Sequence, residues 1–307
     1  MKFIFSKYLV LPLVALGLAQ SGLAQSLEAK LDEKTGTITI HRDGLAKPVV
    51  TQNAAADHRP YLHPITGPDG KGVFTQYSPG HHKHQTGIYW GFTRVNGRDY
   101  FHNPKGDYWK RKDVRVLEAR GESVKWETVY DLLDAAGNAV LTETQRWSMS
   151  SENDRHVLNL EWMGTGQTDV TVGKYPYGGL FVRMPWKKGI KGEAVNAARD
   201  TNRRAEGKRA MWLDVGMEID GRDDWGHIAI FDHHKNQGYP QPWRVDGQLG
   251  VGPVRARLGD WKIAKGKTET IRHQIQVYGG KLNGKKLTDR WKAYTGQRGT
   301  YALWQLA

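Results

Sequence analysis

Residues 80–92 read GHHKHQTGIYWGF and place three histidines within four positions, directly ahead of an aromatic, apolar stretch. His82 and His84 are two apart, so on an extended segment their imidazoles share one face while His81 and Lys83 point to the other. Such a pair is half of a divalent-metal site, which His63 of RPYLHP (59–64) or a carboxylate could complete. Without a metal the same imidazoles are proton carriers, since they titrate near neutral pH, or hydrogen-bonding partners for a sugar. An inert surface cluster is the third reading, and no spacing as specific as HExxH decides among them.

A second polar cluster follows an apolar run in IAIFDHHKN (228–236), ahead of YPQPW (239–243). Asp232, His233, His234 and Asn236 at a strand exit are groups that a rigid element can aim, although Asp232 and Asn236 also suit a plain turn. Convergence of His233 with His82 and His84 would give a three-histidine metal set. A third stretch, KYPYGGLFVR (174–183), offers Lys174, Tyr175 and Arg183 beside a glycine pair that permits a bulge or a close backbone approach. Glu143, Glu161, Glu218, Asp131, Asp214 and Asp220 fall on or beside expected strands, and no acid/base pair stands out among them. With twelve Trp and thirteen Tyr, several in polar loops, the chain has aromatic faces suited to sugar rings; core burial accounts equally well for most of them.

The elements that must position these groups are strands. Leu27–Arg42 reads as a hairpin turning at residues 33–36, and 123–133, 139–149 and 156–163 read as a three-strand antiparallel meander. Further strands are expected at 168–173, 180–184, 210–219, 227–232 and 268–278. Residues 287–294 (LTDRWKAY) carry helical spacing in Leu287, Trp291 and Tyr294. Lys187–Lys208 reads as a long surface loop. Short strands separated by turns every 8–12 residues predict an all-β, large antiparallel β-sandwich.

Lys2 and Lys7 flank the start of an uncharged run, YLVLPLVALGLA (8–19), followed by the small residues Gly22-Leu23-Ala24. This is the pattern of a secretory signal, residues 1–25, cleaved near Ala24 or Gln25, with a single sandwich domain over 26–307. The run is shorter than the ~20 residues of a spanning helix, so no integral membrane association is expected and the location is periplasmic or extracellular. The chain has no cysteine, and a domain of this size needs no disulfide. Its formal charge of +13 falls to +11 without Lys2 and Lys7. That balance favours acidic partners; for an exported chain nucleic acid is set aside, and an acidic carbohydrate fits.

The ordered blocks RPYLHPITGPDG (59–70), GHHKHQTGIYWGFTRVNGRDYF (80–101), YGGLFVRM (177–184) and AIFDHHKNQGYPQPW (229–243) resemble a family of exported bacterial proteins labelled PmoA-like or "methane oxygenase", domain of unknown function 6807. The resemblance covers roughly residues 30–300. The family's first histidine block is similar to DHPHHRG: His82, His84 and Gly87 match, whereas His81, Lys83, Gln85 and Thr86 depart. Its second, DHPxN, is matched by Asp232, His233 and Asn236, with His234 in place of Pro. The methane label does not suit a chain without a bilayer-spanning segment after its signal. What the resemblance implies is a galactose-mutarotase-like supersandwich and a setting of glycan breakdown.

Together these readings give an exported enzyme that cleaves a glycosidic bond, by hydrolysis or elimination, in a glycan or a keto- or uronic sugar. His82, His84, His233 and Asp232 are its expected catalytic groups, the three histidines doubling as ligands of a divalent metal. Arg59, His63, Tyr89, Trp90, Tyr175, Asn236 and Trp243 are the expected substrate contacts, with Tyr89, Trp90 and Trp243 as a sugar-stacking wall. The alternatives are a non-catalytic carbohydrate-binding envelope protein and a sugar mutarotase or epimerase.

Overall fold

Alternation of apolar and polar residues becomes sheet where it persists. The computed structural model describes residues 25–80 and 82–297; the expected signal, except its last residue Gln25, and His81 lie outside them. Ala139–Ser151 buries nearly every second side chain and is the centre of the expected meander, between Ser123–Leu133 and Arg155–Gly166. These three strands sit in an eight-stranded sheet in the order Gly192–Asn196, Trp212–Glu218, Trp225–Asp232, Thr268–Gly280, Arg155–Gly166, Ala139–Ser151, Ser123–Leu133, Trp109–Glu118. A nine-stranded sheet runs Trp243–Val245, Val251–Pro253, Gly179–Val182, Ile88–Gly91, Tyr61–Ile65, Val50–Asn53, Thr37–Arg42, Leu27–Asp32, Arg120–Gly121. The pairings are antiparallel throughout.

The inner faces of the two sheets share one apolar core. Trp90 of the larger sheet stacks on Trp162 of the smaller, ring centroids 4.8 Å apart, and Trp126 Nε1 donates across the interface to Gln52 Oε1 at 3.1 Å. The fold is therefore an all-β antiparallel sandwich. Helix α1 (Gly284–Thr295) extends the expected helix by a turn at its start. Asn283 caps it by accepting from the Lys286 N–H, satisfying one orphan donor. Its Leu287 and Trp291 pack on Trp212, Phe231 and Tyr278, which covers the outer face of the smaller sheet and explains why Trp212–Glu218 is buried on both faces.

Two expectations are corrected. The segment 187–208 is not merely a loop: Gly192–Asn196 pairs with Trp212–Glu218 as an edge strand, its short apolar Ala194-Val195 pair masked by flanking Gly, Lys and Arg. Trp109–Glu118 is a ten-residue edge strand that no alternation announced, because edge strands carry charge along their length to discourage further pairing.

On the outer face of the larger sheet, neighbouring strands set Tyr61, Tyr89 and Phe181 side by side in register. Phe101 joins Tyr89 and Phe181 in a small outer apolar cluster, and this cluster floors the histidine site.

Candidate active site

The turn that carries His82 and His84 is folded, not extended. His82 N–H donates to Pro79 O at 2.8 Å and Gln85 N–H to His82 O at 2.9 Å, while Tyr77 pairs with Thr86. Gly87 closes it at φ +81°, and a Cβ there would lie 2.3 Å from Leu62 O, so glycine is needed for conformation and for space. The two rings still meet, with centroids 5.9 Å apart and nearly perpendicular. His82 Nδ1 lies 3.0 Å from Gln248 Oε1, which also accepts from Arg183 Nη2 at 2.7 Å; an amide oxygen only accepts, so the His82 proton is assigned to Nδ1.

Arg59 and Tyr89 lie under this turn, not in the cavity: Arg59 is fully buried and Tyr89 is 1 % exposed. The Arg59 guanidinium sits 3.8 Å from the Tyr89 ring centroid and donates to His84 O at 2.5 Å and Phe101 O at 2.6 Å. Burial lowers its pKa to about 10, which leaves it charged at neutral pH. The expected substrate contacts at Arg59 and Tyr89 are thus corrected to a support that fixes the His84 backbone.

The cavity, about 100 Å³, is lined by His82, His84, Gln85, Phe101, His102, Tyr177, Phe181, Arg244 and Asp246. His102, unmarked in the sequence reading, is central. Asp99 Oδ2 lies 2.6 Å from His102 Nδ1, and the other Asp99 oxygen accepts the Phe101 and His102 N–H groups at 2.9 and 3.0 Å. With Nδ1 donating to the carboxylate, His102 Nε2 is the acceptor for the Tyr177 hydroxyl at 3.3 Å. His84 packs edge-on to His102 at 4.6 Å. Burial, reinforced by His102, Arg59 and His82, pushes the His84 pKa down to about 3, so that ring is neutral and weakly basic. Burial, with the neighbouring Tyr175, pushes Tyr177 up to about 12, keeping the phenol protonated. Arg244 lies 5.5 Å from the Tyr177 ring centroid and donates to Glu206 at 2.9 Å.

The second cluster does not join this site. Asp232 is fully buried and accepts from Asn236 Nδ2 at 2.7 Å and Gln241 N–H at 2.8 Å, while Asn236 bonds the Arg272 backbone in both directions. Asp232 and Asn236 build a chain reversal, and burial raises Asp232 to about 7. His233 stacks on His234 at 4.6 Å and meets Tyr294 of α1. The set His82, His84 and His233 is therefore not assembled, and among the described residues no three His, Cys, Asp or Glu side chains group as metal ligands. His63 bonds Thr75 Oγ1 at 2.9 Å and stacks on Tyr77, outside the cavity lining. Trp90 and Trp243 are at most 2 % exposed, Trp243 tied to Ala210 O at 2.9 Å, so neither presents a ring to a sugar. Tyr175 lines the neighbouring cleft.

Two signals in the sequence could have pointed here, though neither was read: Asp99-x-x-His102 at the end of the block that begins with the histidines, and Tyr177 in the glycine-pair segment. Nothing local showed that they meet.

No curated protein matches this chain. Among solved structures, its fold is similar to the GH36 alpha-galactosidase AgaB from Geobacillus stearothermophilus (9 % identity, 89 % of this chain, 44 % of that one, TM-score 0.45). It is also similar to an alpha-galactosidase from Lactobacillus brevis (10 % identity, 88 % of this chain, 40 % of that one, TM-score 0.38). A third is the galactose mutarotase related enzyme from Lactobacillus acidophilus (11 % identity, 83 % of this chain, 100 % of that one, TM-score 0.31). The chain spans less than half the length of those two alpha-galactosidases. A family model described as a family of unknown function, DUF6807, matches residues 37–292, and the chain belongs to that family.

Proposed function

We propose that this chain is an exported carbohydrate-active enzyme that cleaves a glycosidic bond by elimination. Export is supported by the amino-terminal signal pattern. Elimination is supported by the hydrogen-bonded chain Asp99–His102–Tyr177 in an open cavity, the observation that carries the reading. Hydrolysis of a glycoside ordinarily takes two carboxylates flanking the bond. Among the described residues lining this cavity the carboxylate is Asp246, whose Oδ1 already accepts the Gln248 and Gly250 N–H groups at 2.8 Å.

His102 Nε2 is the base. Asp99 holds its tautomer and stabilises the imidazolium that forms, as a carboxylate does behind any catalytic imidazole. His102 takes the proton from the carbon next to the carboxylate or ketone of a uronic or keto-sugar, and Arg244 faces the enolate charge that develops. The electron pair of that C–H bond becomes the new C=C bond, the C–O bond to the leaving sugar breaks, and Tyr177 Oη–H protonates the departing oxygen. His102 then returns its proton to the Tyr177 phenolate along their hydrogen bond, so no water is consumed and the site resets. Base and acid stand 3.3 Å apart, which places proton removal and leaving-group protonation on one face, a syn elimination. His82 and His84, the latter held neutral by burial, hold sugar hydroxyls.

The test is a panel of uronic and keto-glycosides scored by mass and by the ultraviolet absorbance of the new double bond. A cleaved product lacking the mass of water, abolished in His102→Ala and in Tyr177→Phe, supports the reading; a product that incorporates labelled water from the solvent sinks it.

A further inference from the structure

Beside the His102 cavity the chain from Lys174 to Tyr177 leads into a larger cleft of about 520 Å³, whose lining includes Arg94, Lys174, Tyr175, Arg209, Arg257 and Leu258. Four of these residues are cations, and none of the described residues lining it is a carboxylate. The Tyr175 and Tyr177 ring centroids are 4.9 Å apart at 82°, so the two openings share a wall. Arg94 lies against Tyr175, its guanidinium carbon 4.8 Å from the ring centroid, and makes a long bond to Lys174 O at 3.4 Å.

The positive charge is only partly offset. Arg209 gives its N–H groups to the backbone oxygens of Pro240, Gly238 and Tyr239 at 2.7, 3.1 and 3.2 Å, neutral acceptors that orient the guanidinium without cancelling its charge. Arg257 donates to Pro176 O at 2.6 Å and pairs with Glu206, and Arg244 of the adjoining cavity shares that carboxylate, two guanidiniums to one acid. Asp260 is nearby and accepts the Lys174 backbone N–H at 2.5 Å. A hydrated anion entering here exchanges water for fixed cations in a concave wall, where field lines concentrate.

We propose that this cleft is a subsite for an anionic sugar unit, carboxylated or sulfated, so that the substrate is an acidic glycan whose next linkage lies in the His102 cavity. The inference rests on the reading of that cavity as the cutting site. Tyr175 gives the sugar ring an aromatic edge, Arg94 and Lys174 meet its charge from the solvent side, and Arg209 meets it from the floor.

Isothermal titration of the full chain with hexagalacturonate, sulfated cellohexaose and neutral cellohexaose tests it. At least one anionic hexamer should bind about tenfold more tightly than cellohexaose and weaken as salt rises. The anion preferred identifies the charged group as carboxylate or sulfate. Arg94 and Lys174 are exposed, so the double variant Arg94→Gln/Lys174→Gln should keep the wild-type circular dichroism and lose about tenfold in affinity for the preferred anion. Equal binding of cellohexaose, no binding of either anion, or unchanged affinity in the double variant overturns the proposal. Cleavage of the anionic hexamer that persists in His102→Ala, with the charge preference intact, overturns the cutting-site reading and leaves the subsite standing.

Discussion

Replacing Arg59 by methionine removes a buried guanidinium while keeping most of its apolar volume. Its two short hydrogen bonds, to His84 O at 2.5 Å and Phe101 O at 2.6 Å, would disappear, together with long contacts to Tyr100 O and Thr86 Oγ1 at 3.3 and 3.4 Å. Each carbonyl stranded in the interior costs about 1–3 kcal/mol. The two short-bonded oxygens alone therefore predict a loss of ~4 kcal/mol, a large fraction of the ~5–15 kcal/mol by which a domain is stable. A methionine over Tyr89 recovers part of the packing and none of the hydrogen bonding. The assay is urea unfolding followed by tryptophan fluorescence, with the free energy extrapolated at an unchanged slope. In a folded fraction at low urea, the His84 and His102 imidazole resonances should also move, because Arg59 ties the backbones of His84 and Phe101 together. A loss below ~1 kcal/mol with unmoved resonances would refute the assignment of Arg59 as a support and return it to the ligand-contacting surface.

The same geometry fixes other outcomes. Gly87→Ala forces a side chain into a left-handed position with a Cβ 2.3 Å from Leu62 O, and its melting temperature should fall by several degrees, a loss of ~2 kcal/mol or more. Trp90→Ala opens a void against Trp162 and should cost ~3–5 kcal/mol in urea titration; a specific rise in KM at wild-type stability would instead put Trp90 at the ligand. Burial first, then the Arg42 charge, hold the His156 pKa at about 3 against an ordinary value of 6.5. The unfolded chain thus takes up this proton first as the pH falls. Stability from this group is present above pH ~6.5 and is lost between there and ~3, about 2 kcal/mol from pH 6 to 4. His156→Gln should flatten that part of the stability–pH curve, and an unaltered slope would count against it. Asp232 and Glu143, both raised by burial to about 7, act in the opposite sense, stabilising below their ordinary pKa and losing that contribution as the pH rises through 7.

How far the sequence revealed the molecule depended on whether one face of each strand was wet. Residues 123–133, 139–151 and 155–166 alternate because their outer face meets solvent, and their pairing could be read directly. The Ile88–Gly91 strand is covered on both faces, so its residues IYWG give no parity. Tyr89 and Trp90 looked equivalent as a sugar wall, yet adjacent strand positions must point to opposite sides: Trp90 went to the core and Tyr89 to the floor of the site. Trp243 also faces the core, from a three-residue strand too short for its alternation to be read.

The site was half legible for a related reason. The His82–His84 turn is local, and its chemistry stood out in thirteen residues. His102 and Tyr177 are 75 positions apart and meet through the pairing of Ile88–Gly91 with Gly179–Val182, a contact that no local pattern encodes. That pairing also decides which histidine can act. Burial that brings His84 to the cavity wall weakens it as a base, and no acidic side chain bonds its ring among the described contacts. His102 reaches the same wall with Asp99 at 2.6 Å behind it, so in the proposed elimination the proton it gains would be met by a carboxylate already in place. The histidine cluster in the sequence therefore marks where the cavity is; the Asp99–His102 pair is just as local, and only the fold shows that it reaches the same wall.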